Sequence, residues 1–159
     1  MVDGEERMRR VTAIRNGTVI DHIPSGHAVT VLEILGISGR RVNPVSMVMN
    51  VPSGKMEHKD IIKIDDRELD QHELDRLALV APDASVSIIR EYRVAEKLQI
   101  RLGEEIVNVA RCSYRNCATN GPREPMPHRL VVMGRNPLRL RCHYCLRPQG
   151  LEDIIDHLV

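Results

Sequence analysis

The sequence predicts an α+β fold: an N-terminal ferredoxin-like α/β sandwich followed by a small all-β domain built around cysteines. Two observations lead to this prediction. Strand-like alternation and helix-like spacing of apolar residues follow one another early in the chain, in the order β-α-β-β-α-β. All four cysteines then fall within one arginine-rich stretch, residues 112–145. Because the composition changes across 95–105, we expect two domains, residues 1–100 and 101–159.

The first domain is predicted from five strand-like and two helix-like segments. Alternating apolar and polar residues indicate strands at 10–15, 18–23, 45–51, 58–65 and 86–94. One helix should begin at Ser25 as N-cap and run to Leu35, and another should follow an Asp70–Glu73 capping box. The strands at 45–51 and 58–65 should form a hairpin. The helices would then cover one face of a mainly antiparallel sheet, whose aliphatic content favours self-association.

The second domain is predicted from a C-x4-C pair and a C-x2-C pair that are separated by twenty-four residues. Strand-like runs lie at 106–109, 129–133 and 138–141, and 151–158 has the pattern of a short helix. Two such turns can supply four thiolates to one tetrahedral zinc ion, as in a zinc-ribbon-like domain. The candidate ligands are Cys112, Cys117, Cys142 and Cys145.

Two disulfides or four unrelated buried thiols are the alternatives for these cysteines. The polar start of the chain resembles no targeting segment, so we expect a reducing, cytoplasmic compartment, where such spacing favours metal. Four thiolates would complete the coordination shell and leave no position for a catalytic water. The zinc ion would therefore be structural.

Charge is unevenly distributed, although the whole chain has a formal net charge of only +1. Residues 106–150 contain eight arginines and one acid. This basic segment could dock on an acidic protein or on nucleic acid, and a solvated arginine-rich surface explains it equally well. The chain contains no Phe and no Trp, which argues against stacking of single-stranded nucleic acid. No apolar run is long enough to span a membrane.

No motif typical of a catalytic site is present in the sequence. Asp21 and His22 are adjacent on a predicted strand, so their side chains should point to opposite faces and not pair. Lys63 and Lys97 could contact phosphate, and Tyr92 could stack on a base. The residues alone favour another reading, in which the lysines cap a sheet surface and Tyr92 lies in the core.

Three segments, together with the four cysteines, resemble the regulatory chain of aspartate carbamoyltransferase. They are residues 13–24, 51–64 and 77–86, the last continuing to Tyr92 and Lys97. The resemblance implies a non-catalytic subunit of pyrimidine biosynthesis. Its first domain would bind CTP and UTP, which inhibit, and ATP, which activates. Its second domain would hold one zinc ion and contact the catalytic chain.

The resemblance also implies a set of nucleotide contacts and an assembly. The contact positions of the family fall on Ala13, Ile14, Asp21, His22, Lys63, Ile89, Tyr92, Val94 and Lys97. Ser87 stands where well-studied members have Asn, and Tyr114-Arg115 also departs from relatives. The expected assembly is a regulatory homodimer within a dodecamer of two catalytic trimers and three regulatory dimers. A nucleic-acid-binding zinc-ribbon protein is the alternative function.

Overall fold

The computed structural model describes residues 13–37, 43–121 and 125–159. The chain forms two compact units, Met1–Ile100 and Arg101–Val159. Each unit has its own sheet and its own buried residues. Among the described residues, no helix is long and apolar enough to cross a bilayer.

The first unit is a five-stranded antiparallel sheet with two helices. Its strands are β1 (Gly17–Pro24), β2 (Val45–Ser53), β3 (Glu57–Asp65), β4 (Ser85–Arg90) and β5 (Arg93–Gln99), and its helices are α1 (Ala28–Ile34) and α2 (Gln71–Val80). The strand order is β2-β3-β1-β4-β5, and every neighbouring pair is antiparallel. The first four strands have the order of the ferredoxin-like sandwich, so the predicted fold class is confirmed.

The core of this unit is aliphatic, as the absence of Phe and Trp requires. Ile20 of β1 is paired with Ile62 of β3 and with Val86 of β4, and all three are 0% exposed. Val31 of α1 and Leu77 of α2 are also fully buried, and α1 contacts both α2 and β3. Burial of this apolar surface is the main contribution to the stability of the unit.

Two strand predictions were wrong in their bounds. The predicted strand at 86–94 is two strands, because the chain reverses at Glu91 and Tyr92, which have φ of 50° and 64°. A two-residue hairpin turn of type I′ needs positive φ at both central positions, and the usual Asn-Gly signature is absent here. The other strand was predicted at 10–15. Residues 10–12 lie outside the described part of the chain, and Ala13–Asn16 is not strand.

The start of α1 also differs from the prediction, because Ser25 is not its N-cap. The N-cap is His27, whose side chain makes no capping bond. The fully buried Asp60 of β3 replaces the cap: its Oδ2 accepts hydrogen bonds from the backbone N–H groups of Gly26 (2.8 Å) and Ala28 (3.0 Å). Its Oδ1 accepts from the N–H of Asn50 at 2.8 Å. The predicted Asp70–Glu73 capping box of α2 is present.

The second unit is a four-stranded antiparallel sheet with short helical segments. Its strands are β6 (Glu105–Val107), β7 (Arg129–Arg135), β8 (Leu138–Cys142) and β9 (Pro148–Gly150), and they lie in that order across the sheet. The unit also contains a 3₁₀ helix (Ala118–Asn120) and α3 (Leu151–Ile155). β9 was not predicted, because three residues beginning with proline show no alternation. α3 is shorter than predicted, and Leu158 forms a β-bridge with Ala110 instead.

We expect Asp60→Asn to lower the free energy of unfolding of the first unit by about 1–3 kcal/mol. The amide keeps one acceptor oxygen but turns an NH₂ donor toward backbone donors in a fully buried position. Urea unfolding of the zinc-loaded chain measures the change. Asp83→Asn, at an exposed loop position, is the matched control, and equal losses in both variants would contradict this role for Asp60.

Candidate functional site: a four-cysteine metal centre and an open sheet face

The four cysteine sulfurs converge on one point in the second unit. All lie within 4.8 Å of one another, and the Cys112–Cys145 and Cys117–Cys142 Sγ pairs are each 3.7 Å apart. A tetrahedral ion with zinc–sulfur bonds of about 2.3 Å requires sulfur–sulfur edges of about 3.8 Å. A disulfide would bring two sulfurs to about 2 Å, and all four cysteines are free. The arrangement fits one structural zinc ion.

Local backbone geometry positions the sulfurs. Cys142 ends β8, and its carbonyl accepts a hydrogen bond from the N–H of Leu146 at 3.0 Å, which closes the second cysteine turn. Leu146 has a φ of 63°, so the chain turns back sharply after Cys145. The first turn is closed by the N–H of Cys117, which donates to the carbonyl of Tyr114 at 3.1 Å.

A buried glutamine that sequence reasoning missed holds the first cysteine turn. Gln149 is 3% exposed, and its Nε2 donates to Cys112 Sγ at 3.2 Å. Its Oε1 accepts from the N–H of Ser113 at 2.8 Å. Asn120 Nδ2 donates to the carbonyl of Cys112 at 2.9 Å. Nothing in the sequence marks Gln149, because its strand, β9, has no recognisable pattern.

The four thiols of the folded cluster differ in acidity. Burial raises the pKa of Cys112 to about 12. Burial opposes ionisation of Cys145 as well, but the backbone N–H and side chain of Arg147 donate to its sulfur, and the pKa is lowered to about 6. The lowered pKa of Cys145 favours its thiolate at neutral pH, whereas the raised pKa of Cys112 favours its thiol until a cation displaces the proton.

Five of the nine implied nucleotide contacts lie on the face of the first sheet that is turned away from the helices. Side chains alternate between faces along a strand, and directly paired residues share a face. Val19 is paired with Lys63 on one side and with Ser87 on the other, and Ser87 is paired with Lys97. The two lysines therefore lie in one row, three strand spacings or about 14 Å apart. The flanking rows contain Asp21, Ile89 and Val94.

The other four implied contacts border this face of the first sheet, which is turned away from the helices and which we call the open sheet face. His22 lies at a register shift in β1. Tyr92 lies in the β4–β5 turn, and its backbone N–H donates to the carbonyl of Arg15 at 2.9 Å, which places the turn beside the segment that contains Ala13 and Ile14. Sequence-distant residues are thereby brought to one surface.

Asp21 and His22 are not on opposite faces, so the prediction that they cannot pair was wrong. The register of β1 against β3 shifts between Ile20 and Ile23, and His22 has a φ of 58°. The bulge brings His22 Nδ1 to 3.9 Å from Asp21 Oδ1 and to 3.1 Å from Ser85 Oγ. Lys59 Nζ lies 2.9 Å from the same carboxylate oxygen. Neither Lys59 nor Ser85 was predicted from the sequence to belong to this site.

The candidate contacts differ widely in exposure. Lys63 is only 6% exposed, and burial lowers its pKa, an effect that the nearby Asp65 carboxylate partly opposes. Lys97 is exposed. Tyr92 is 68% exposed, so the alternative that placed it in the core was wrong.

Comparison with known proteins connects this architecture to one family. Residues 9–101 match the family model described as "Aspartate carbamoyltransferase regulatory chain, allosteric domain". Residues 104–155 match the model of the metal binding domain of the same regulatory chain. The chain belongs to the family of aspartate carbamoyltransferase regulatory chains. The predicted resemblance is thus confirmed over almost the whole length of the chain.

Similar regulatory chains occur among curated proteins. The aspartate carbamoyltransferase regulatory chain of Thermoplasma volcanium is 45% identical over 152 residues, which cover 96% of this chain and 99% of the relative. The regulatory chain of Korarchaeum cryptofilum is 47% identical, and the match covers 93% of this chain and 94% of the relative. That of Methanothrix thermoacetophila is 48% identical, and the match covers 97% of this chain and 99% of the relative. Family members are regulatory chains, which confirms a non-catalytic subunit with an allosteric and a metal-binding domain.

We expect Gln149→Leu to weaken zinc binding by about 10- to 100-fold, because it removes the hydrogen bonds that orient Cys112 and Ser113. Competition with a chromophoric chelator measures the affinity. Gln99→Leu, at an exposed position of β5 in the first unit, should leave it unchanged. Wild-type affinity in Gln149→Leu would contradict an orienting role.

Zinc affinity should fall as the pH is lowered, since each thiol must lose its proton to bind. The raised pKa of Cys112 means that zinc binding at pH 7 releases at least its proton, and below about pH 6 Cys145 must be deprotonated as well. Calorimetry in buffers of different ionisation enthalpy counts the protons. An affinity that is equal at pH 5.5 and pH 7.5 would refute this assignment.

Proposed function

We propose that this chain is the allosteric subunit of an aspartate carbamoyltransferase. In this proposal, residues 1–100 bind nucleotide effectors, and residues 101–159 bind one zinc ion and contact the catalytic chain. The zinc ligands are Cys112, Cys117, Cys142 and Cys145, whose sulfurs are spaced for one tetrahedral ion. The observation that supports the division most directly is that the implied nucleotide contacts border one sheet face, in a different unit from the cysteines.

The open sheet face has the chemistry that a nucleotide requires. Lys63 and Lys97 lie in one row, so their ammonium groups can contact phosphate or ribose oxygens from two sides. Burial disfavours the charged form of Lys63, and a bound phosphate would restore it. Exposed Tyr92 offers a ring for the base, and Asp21 and His22 offer polar contacts.

Ser87 lies between the two lysines in this row, where well-studied family members have Asn. The serine side chain is shorter, and its single hydroxyl oxygen cannot present a donor and an acceptor on two separate atoms, as an amide does. Discrimination between CTP, UTP and ATP in this chain would therefore depend more on backbone groups near Ala13, Ile14 and Ile89. CTP, assisted by UTP, would inhibit and ATP would activate, which requires that each favour a different global state.

The proposed assembly is the one that the resemblance implies. Two regulatory chains form a homodimer through their first units, and three such dimers join two catalytic trimers. β2 is an edge strand of the sheet, and its Met47 and Met49 are 39% and 40% exposed. An apolar edge of this kind is suited to pairing with a second chain.

The alternative of a nucleic-acid-binding zinc ribbon is less well supported. Several arginines of the basic segment are engaged within the protein, so the charge count overstates the free basic surface. Arg129 is paired with Glu105, Arg135 donates to the carbonyls of Leu102 and Gly103, and Arg147 packs 4.1 Å from the centre of the Tyr114 ring. A salt-dependent gel shift with duplex and single-stranded DNA would detect this function.

Two substitutions test the division of labour. We expect Lys97→Ala to weaken CTP binding and reduce the inhibitory response while assembly stays intact. We expect Cys142→Ala to retain CTP binding but to release the catalytic chain, because the zinc unit no longer folds. Calorimetry of CTP binding and CTP inhibition of the reconstituted complex give the two readouts, and the lost coupling corresponds to about 1–3 kcal/mol.

Lys55→Ala, in the exposed β2–β3 turn, is the control for loss of a lysine charge. It should leave both CTP binding and inhibition unchanged. If Cys142→Ala abolishes CTP binding, or if Lys97→Ala binds CTP as tightly as Lys55→Ala, the proposed division is wrong.

A further inference from the structure

A cavity of about 590 Å³ lies in the second unit, against the outer side of the first cysteine turn. It has no residue in common with the open sheet face of the first unit, and the proposed allosteric function leaves it unused. Its lining includes two arginines, two histidines, a threonine and an aspartate, which are Arg111, Arg115, His128, His157, Thr119 and Asp156. We call it the arginine cleft.

Neither arginine of the cleft is ion-paired with a carboxylate of the described residues. Those carboxylates form ion pairs with His22, with Lys59 and with four other arginines, namely Arg15, Arg67, Arg90 and Arg129. Arg111 and Arg115 are both exposed, and both line the cleft. They flank Cys112 in sequence, so the turn that positions this cysteine also places both guanidinium groups on the cleft.

Thr119 and His128 form a hydrogen-bonded polar pair in the lining of the cleft. Thr119 is 6% exposed, and its Oγ1 lies 3.0 Å from Nδ1 of His128. Burial lowers the pKa of His128, and the positive charge of Arg111 lowers it further. A cation that destabilises protonation of a neighbouring imidazole indicates a positive local potential, which a bound anion would neutralise.

We propose that the arginine cleft binds a small tetrahedral oxyanion of the phosphate and sulfate class. Guanidinium groups present planar pairs of N–H donors that match such oxyanions, and two of them can contact one anion from opposite sides. The Thr119–His128 pair supplies a neutral hydrogen-bond donor in the lining. Asp156 limits the net charge of the lining, which favours a single small anion over a polyanion.

The experiment uses the zinc-loaded full chain and inorganic phosphate as the probe, at constant ionic strength. The His128 ring resonances are followed by NMR over a pH titration with and without phosphate. This readout reports the second unit only, so phosphate binding at the lysines of the first sheet does not interfere. Bound phosphate should raise the pKa of His128 and shift its resonances in a saturable manner. Arg111→Gln and Arg115→Gln should each weaken this binding at least tenfold.

Arg139→Gln, at an exposed position of β8 outside the cleft, is the matched control and should bind phosphate as the wild type does. Lys97→Ala should likewise leave the His128 response intact. Zinc content and circular dichroism verify that each variant is folded. No saturable shift of His128 in the wild type would overturn the proposal. So would equal weakening in Arg139→Gln, which would indicate a diffuse charge effect. A shift that is lost in Lys97→Ala would show that the His128 response does not arise from anion binding in the cleft, and would overturn the proposal too.

Discussion

The pairing of the central strand β1 sets the arrangement of the first unit. β1 is hydrogen-bonded to β3 on one side and to β4 on the other, so its register fixes which residues of three strands share a face. If the pairing register of β1 slipped by one residue, the aliphatic side chains that share the buried face with Ile20 would move to the open sheet face. The side chains that lie in one row with Lys63 would move into the core. The register is therefore strongly specified by burial. Asp60 adds a polar constraint, because its buried carboxylate joins β3 to the shifted part of β2 and to the start of α1.

Features that depend on local patterns were predictable from the sequence. The β2–β3 hairpin, the Asp70–Glu73 capping box and the aliphatic core follow from alternation, cap chemistry and composition. The cluster of four cysteine sulfurs was predictable because a C-x4-C pair and a C-x2-C pair are the usual spacing of the ligands of one zinc ion. In each case the residues that interact are close in sequence, or their type is rare in the chain.

Features that depend on long-range partners or unusual backbone were not predictable. Asp60 replaces a local cap for α1 from more than thirty residues away in sequence. His22 and Tyr92 adopt positive φ without glycine or asparagine to indicate it, so a bulge and a turn were interpreted as regular strand. Gln149 lies in a strand too short to show a pattern. These same departures assemble the candidate sites: the bulge gathers Asp21, His22 and Ser85, and the turn places Tyr92 at the rim of the sheet face.

The unequal acidity and burial of the cysteines have a consequence for their reactivity. Cys145 is half-buried and its pKa is lowered, whereas Cys112 is buried and its pKa is raised. A thiolate within reach of solvent is the nucleophile that oxidants and alkylating agents attack first. Cys145 is also the one cysteine of the four that is not buried, and coordination removes its sulfur from reaction. In this protein the ion that organises the small unit also protects it from chemical damage.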